Sequence, residues 1–273
     1  MTNKLIKMAK IEIPNDLVDK EDVFSFLIEN KDLHYKQKFS EYKKADSVAH
    51  TFPREARKAA LENLDNIDKL LVKSVINTTN LMDSHKDVHI PKIWNKTLRE
   101  NKSFLLLQEH IMNFKNVISD EVKAYVETMS FKELGFPQFK MDTQALIFNS
   151  VISRERNEFM FDQYGKGFVK NHSVGMRYVK LILAVNSDAS EYKEEFEVWN
   201  KYASQVANIK DAEADGYFYA VTEAKLIEGS AVVKGSNVIT PTQSVEAAKE
   251  NEPSADTQKT EPPNVGTHSK FYL

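Results

Sequence analysis

The sequence predicts an α+β fold, in which a mainly antiparallel, barrel-like β core is flanked by helices. Three observations support this class. Several short segments are rich in apolar and β-branched residues, as strands are. Helical segments are interspersed among them, but without the regular alternation of a parallel βαβ sheet. The last thirty or so residues change to a polar, Pro- and Glu-rich composition that cannot build a core.

The first third of the chain predicts a helical N-terminal extension covering residues 1–68. Asn15 or Asp16 can cap a helix that runs to about Glu29. Residues 31–47 are highly charged and are expected to be exposed or loosely held. Pro53 is suited to open a second helix that ends near residue 68.

Residues 69–242 predict the β-rich domain. Its expected strands are followed by helices that begin at prolines or end at glycines. Strands are predicted at residues 70–81, 103–110, 117–130, 143–155, 173–185 and 217–237, and helices at 91–101, 156–167 and 190–209. Residues 243–273 predict a disordered tail, which ends in the short apolar run 271–273.

Bulk properties exclude several classes of protein. The 273-residue chain has a formal net charge of -3, so it offers no basic excess for a nucleic-acid partner. It contains no cysteine, which rules out disulfides, thiolate catalysis and cysteine-bound zinc. We find no secretory signal and no apolar run of the roughly 20 residues that span a bilayer. The sequence therefore predicts an intracellular protein with no membrane partner.

A serine, a histidine and a carboxylate occur at the ends of predicted strands. Ser173 opens one strand, and a serine nucleophile requires a base. The neighbouring His172 would point to the opposite face of that strand, whereas His110 closes an earlier apolar strand. Either Glu223 or Glu228 could orient His110, and the small residues that follow Glu228 favour it.

A second cluster of polar residues lies in the loop at residues 83–89. If this loop is extended, Asp83, His85, Asp87 and His89 project from one face, and such ligands suit a divalent metal. A solvated polar loop is the simpler interpretation, so no metal or other cofactor is predicted. His85 and His89 remain alternatives to Glu228 as the third member beside Ser173 and His110.

These segments together resemble the prohead (head maturation) protease family of tailed phages, whose fold is similar to that of the herpesvirus assembly protease. The resemblance covers about residues 71–242. It depends on the order of four motifs along the chain. These are an acidic loop with a Pro-initiated helix, a strand that ends in histidine, a Ser-x-Gly strand and a Glu-Gly-Ser segment. These motifs occupy residues 83–98, 105–110, 170–186 and 228–237.

The resemblance implies a serine endopeptidase that acts inside the procapsid, in the host cytoplasm. Its substrates would be scaffold and the N-terminal region of the major capsid protein, and often the protease itself. The sequence does not reveal the oligomeric state, so a homo-oligomer is left open. By motif position the nucleophile falls on Ser173, the base on His110 and the carboxylate on Glu228, with the Gly175 amide as a candidate oxyanion donor.

The chain departs from the family pattern at two positions of the serine strand. Met176 follows Gly175, and His172 occupies a position that is commonly smaller or apolar. These departures leave open a catalytically inactive assembly or scaffolding protein on the same fold.

Overall fold

A computed structural model describes residues 11–42, 61 and 63–248. The helices are α1 (Lys20–Glu29), α2 (Lys31–Ser40), α3 (Asn95–Glu100), α4 (Glu158–Gly165), α5 (Lys193–Tyr202) and α6 (Ile209–Asp215). The strands are β1 (Lys69–Thr78), β2 (Asp87–His89), β3 (Leu106–Gln108), β4 (Val117–Ser119), β5 (Val122–Ser130), β6 (Asp142–Ser153), β7 (Asn171–Val185), β8 (Tyr217–Val232) and β9 (Thr242–Ala247).

The strands form two sheets. The first is antiparallel, in the order β5-β6-β1-β9. In the second, β7 runs antiparallel along one edge of β8, while β2 and β3 pair in parallel with two separate parts of its other edge. β4 extends this sheet beyond β3. The predicted α+β class, with mainly antiparallel pairing, is confirmed, but the described strands make two separate sheets and no closed barrel.

The two sheets approach closely where β8 carries Gly229. A Cβ atom added to Gly229 would lie 2.7 Å from a Phe148 ring atom of β6 and 3.1 Å from Ile76 of β1. The glycine therefore leaves the space that these buried side chains fill. The alternation of β8 then turns the residues on either side of Gly229 to the opposite face of the sheet.

The N-terminal helices pack against the second sheet. Phe24 and Leu27 of α1 are buried and belong to the same apolar cluster as the strands. In α2, the Tyr35 hydroxyl accepts a hydrogen bond of 2.8 Å from the Leu183 amide of β7. Lys38, one turn further on, forms an ion pair with the buried carboxylate of Asp87. The prediction that residues 31–47 are exposed or loosely held is therefore wrong for α2, because Tyr35 and Lys38 hold this helix on the sheet.

Two other predicted boundaries differ from the structure. Helix α1 begins at Lys20, where the Asp19 side chain accepts from the Glu21 amide and caps it. Most of the predicted helix at 53–68 lies outside the described residues. Its end is a single 3-10 turn at Leu64–Asn66, preceded by Asn63 in the left-handed region with φ 59°.

The predicted tail begins too early. Residues 243–247 belong to β9, which pairs with the edge of β1 from Leu70 to Ser74. Backbone pairing and two buried residues, Thr242 and Val245, hold a strand that is otherwise mostly polar. The rest of the predicted tail, residues 249–273, lies outside the described residues.

The longest helices among the described residues contain ten residues, and none has the length and apolarity that a membrane crossing requires.

Candidate active site

The register between β7 and β8 brings the predicted serine and glutamate to one face of the sheet. Ser173 lies directly opposite Ser230, and Gly175 lies opposite Glu228. Residues that face each other across a pair of strands point to the same side, as do residues two apart on one strand. Ser173 is 7 % exposed and Glu228 is fully buried. Ser173, Ser230 and Glu228 therefore form a row of polar side chains on a buried face of the sheet.

His110 reaches this face from the opposite edge of β8. Strand β3 ends at Gln108, so the predicted strand-closing histidine lies in the turn that follows. Glu109 and His110 both adopt left-handed backbone conformations, with φ 52° and 59°. Such conformations are costly for residues other than glycine and persist only where surrounding contacts hold them. Here the His110 amide donates to Ser230 Oγ at 3.0 Å.

The His110 ring contacts the Glu228 carboxylate directly. His110 Nδ1 lies 2.6 Å from Glu228 Oε1, and the two side chains are 3 % and 0 % exposed. Ser230 Oγ donates to the other carboxylate oxygen, Oε2, at 2.7 Å. A carboxylate held in this way orients the imidazole and selects the tautomer with the proton on Nδ1. We call His110 and Glu228 the dyad.

A third donor to the dyad comes from the N-terminal part of the chain. The Tyr42 hydroxyl, just beyond α2, donates to Glu228 Oε1 at 2.6 Å. Its ring stands perpendicular to the His110 ring, with the ring centres 6.4 Å apart. Burial and the negative charge of Glu228 raise the pKa of Tyr42, which keeps the hydroxyl protonated as a donor.

Gly175 provides the space in which these groups meet. A Cβ atom at this position would lie 1.9 Å from Glu228 Oε1 and 2.2 Å from the Tyr42 hydroxyl, which is a severe overlap. The Gly229 amide donates to Leu105 on the β3 side. The backbone amides along β8 point alternately to its two neighbouring strands, so the Glu228 backbone points towards β7, where Gly175 is its partner. Gly175 therefore pairs with Glu228 across the two strands, and its predicted role as oxyanion donor stays a prediction.

The loop between β8 and β9 also borders the serine. A Cβ atom on Gly235 would lie 3.6 Å from the Ser173 Cβ atom. Ser236 and Asn237 of the same loop line a small cavity together with Ser173 and His89. The amides of Gly235 and Ser236 lie outside the strand ladders, so this loop offers backbone donors beside Ser173.

His172 points away from Ser173, as its position on the strand predicts. Its Nε2 lies 2.9 Å from the Tyr164 hydroxyl, and its Nδ1 lies 3.2 Å from the Thr240 carbonyl oxygen. Its ring stacks on Tyr164, and the side chain is fully buried. This departure from the family pattern is therefore accommodated by contacts on the far face of β7.

The acidic loop forms a tight turn, and the described residues contain no group of ligands able to hold a metal. The extended arrangement that a metal site would need is not formed, because one Asp83 oxygen accepts from the amides of both His85 and Asp87 and closes the turn. The simpler interpretation, a solvated polar loop, is wrong as well, since Asp83, Asp87 and His89 are buried. Burial, followed by the charge of Asp87, raises the pKa of Asp83 to about 6. Asp87 itself bonds Lys38 and the Tyr178 hydroxyl.

The other candidates for the third member of the site have partners elsewhere. Glu223 forms ion pairs with Lys96 and Lys180. His89 bonds Asn77 and lies 3.3 Å from the Tyr178 hydroxyl. His85 lines the same cavity as Ser173, but the contact with the His110 ring is made by Glu228.

Two residues of the site were not predicted from the sequence. Ser230 lies within the Glu-Gly-Ser segment, and a polar residue two positions from a candidate carboxylate could have indicated a bond to it. Tyr42 lies in a charged stretch without a pattern and carries no comparable signal.

Comparisons with protein-family models, with curated proteins and with solved structures give no match to this chain.

Proposed function

We propose that the protein is a serine endopeptidase in which Ser173 is the nucleophile, His110 the general base and Glu228 the residue that orients the base. The observation that carries this proposal is the 2.6 Å contact between His110 Nδ1 and Glu228 Oε1, on the face of β8 to which Ser173 also points. A serine, a histidine that acts as its base and a carboxylate that orients the histidine make up an activated hydroxyl nucleophile.

In the proposed reaction, His110 Nε2 takes the Ser173 proton as Oγ attacks the carbonyl carbon of a peptide bond. Glu228 remains ionised and stabilises the imidazolium that forms. His110 then returns the proton to the leaving amine, and water hydrolyses the acyl-enzyme by the same route in reverse. Backbone amides of the Gly235–Ser236 loop are our candidates for binding the oxyanion.

The substrate class rests on the resemblance of the chain to prohead proteases. The acidic loop, the histidine after β3, the serine strand and the Glu-Gly-Ser segment supply the motifs of that resemblance. In the fold they surround β8. We therefore propose capsid assembly as the setting, with scaffold and the N-terminal region of the major capsid protein as substrates.

The burial of the site favours one alternative, a catalytically inactive assembly protein on the same fold. Ser173 is 7 % exposed, and the His110 side chain is 3 % exposed. A peptide can reach Ser173 only if neighbouring segments move, and a protein with no reaction to perform has no need of such movement.

Labelling with a fluorophosphonate, which reacts with activated serines, distinguishes the active protease from the inactive assembly protein. We expect labelling of Ser173 in the wild type, its loss in Ser173→Ala and in His110→Gln, and normal labelling in the exposed control Ser190→Ala. Co-expression of the wild type and Ser173→Ala with the cognate capsid protein gives the second measurement. Capsid processing that proceeds equally with both proteins would rule out the serine mechanism.

A further inference from the structure

The Tyr42 hydroxyl contacts the dyad from a part of the chain that the catalytic motifs do not include. It lies 186 residues from Glu228 in sequence, yet it donates to the same carboxylate oxygen that His110 Nδ1 contacts. With Ser230 on Oε2, the fully buried carboxylate has three donors around it. Hydrogen bonds to a charged group are among the stronger ones in proteins, and their loss in a buried site is costly.

The surroundings are shaped to admit this tyrosine. Gly175 leaves open the volume that the Tyr42 hydroxyl and Glu228 Oε1 share. The ring of Tyr42 also lies edge-on to His110, so it limits rotation of the imidazole as well as of the carboxylate. Lys38, paired with the buried Asp87, holds α2 against the second sheet and so determines where Tyr42 lies.

On this basis we propose that Tyr42 is a positioning residue of the proposed protease, and that the N-terminal helices complete its active site. The inference rests on the serine mechanism proposed above. Tyr42 acts through Glu228: it holds the carboxylate in the orientation that His110 requires and shares the negative charge of Oε1.

A different role for the same contact is inhibition, in which Tyr42 covers the site until the N-terminal part moves away. The contacts favour a positioning role, because the Tyr42 hydroxyl bonds the Glu228 carboxylate. Substrate needs to reach Ser173 and the His110 ring, but it does not need to reach this carboxylate. The two roles predict opposite effects of removing the hydroxyl.

The test compares Tyr42→Phe with Tyr35→Phe in the full-length protein. Both variants remove one hydroxyl from the same N-terminal part, but only the first bonds Glu228. We expect Tyr42→Phe to slow fluorophosphonate labelling of Ser173 about tenfold, the effect of one lost charge-assisted hydrogen bond. Tyr35→Phe should lower thermal stability and leave the labelling rate near that of the wild type.

The pH dependence provides a readout that a purely structural role would not move. Among the described residues, the titratable groups that bond Glu228 are Tyr42 and His110. Without the tyrosine donor, the carboxylate is no longer held in the orientation in which Oε1 meets the Nδ1 proton, so it stabilises the imidazolium less. The His110 titration, followed by NMR of histidine-labelled protein, should therefore shift to lower pH in Tyr42→Phe. His110→Gln identifies the resonance.

Two outcomes would overturn the proposal: an unchanged His110 titration in Tyr42→Phe, or faster labelling, which would show that the contact is inhibitory. The NMR measurement does not depend on proteolysis. If the wild type fails to label while the titration still responds to Tyr42, the serine mechanism is refuted and the contact between Tyr42 and the dyad is upheld.

Discussion

At the scale of single residues, the site depends on where a side chain is missing. Gly175 has an ordinary backbone conformation, so its role is spatial. It leaves a volume on the buried face of β7 into which Glu228 and Tyr42 extend from two other parts of the chain.

Gly175→Ala should destabilise the protein by about 1–3 kcal/mol, the usual cost of forcing extra atoms into a packed site. It should also displace Glu228 from His110 and lower the labelling of Ser173. Gly165→Ala is the matched control, since the three atoms nearest to its new Cβ all belong to the movable end of the Leu64 side chain. Urea denaturation measures the free energy of unfolding of both variants. Equal stability of the two variants would contradict the packing argument.

Asp83 makes the stability of the protein depend on pH. Its pKa in the folded state, about 6, lies above the ordinary aspartate value of 3.8, so the folded protein binds this proton more tightly than the unfolded chain. The resulting stability is fully present below the unfolded pKa and is lost as the pH rises through the folded pKa.

Asp83→Asn keeps an oxygen that can accept from the His85 and Asp87 amides but removes the charge. We expect its free energy of unfolding to fall less between pH 4 and pH 8 than that of the wild type, as measured by thermal unfolding across this range. Asp188→Asn, at an exposed position, is the control. Parallel curves for Asp83→Asn and wild type would refute the assigned cause.

At the scale of elements, the sequence predicts the segments that have their own apolar pattern and misses those that are held by contacts with other segments. Strands β1 and β7 are predicted well, because β-branched and apolar runs persist over their whole length. Helix α2 and strand β9 are missed, because α2 is charged along its length and β9 is short and mostly polar. Both are held by partners on other strands, such as Asp87 for α2 and the edge of β1 for β9.

Helix α2 depends on one ion pair in particular. Lys38→Met leaves the Asp87 carboxylate buried without its cation and should cost about 3–5 kcal/mol. The control is Lys36→Met, an exposed position on the same helix, which should change stability by less than about 0.5 kcal/mol. Chemical denaturation of both variants is the measurement. Similar values would mean that Asp87 does not anchor the helix.

The candidate site shows the same limit of prediction. Ser173, His110 and Glu228 could be selected from strand position and from the resemblance, since each lies in a recognisable motif. The pairing of Ser173 with Ser230 could not be selected, because register depends on bulges between β7 and β8 that leave no pattern in the sequence. Tyr42 could not be selected either.

At the scale of the whole molecule, the described N-terminal helices share the core of the β-rich domain. Phe24 is 2 % exposed and packs edge-on against Tyr192, whose ring centre is 5.7 Å away. A separable extension would bury such a residue within itself. The packing instead predicts that helices and sheets unfold together.

Phe24→Ala tests this prediction, and a buried phenylalanine typically contributes about 3–5 kcal/mol. We expect the variant to shift the denaturation curve seen by fluorescence of the two tryptophans, Trp94 and Trp199, which lie outside the N-terminal helices. Val18→Ala, at a position 91 % exposed, is the control. If the midpoint of the fluorescence transition is the same in Phe24→Ala and in the wild type, the N-terminal helices fold independently.

The position of Glu228 on β8 has a consequence for the timing of activity during synthesis. The carboxylate is 118 residues beyond His110 and 186 beyond Tyr42. A ribosome that has translated through β7 has made Ser173 and His110 but neither the carboxylate nor the strand that aligns them. Since chains are made from the N-terminus, the growing polypeptide cannot assemble the dyad until β8 has emerged. If the protein is the protease we propose, the nascent chain is harmless to itself and to its neighbours by the order of its own residues.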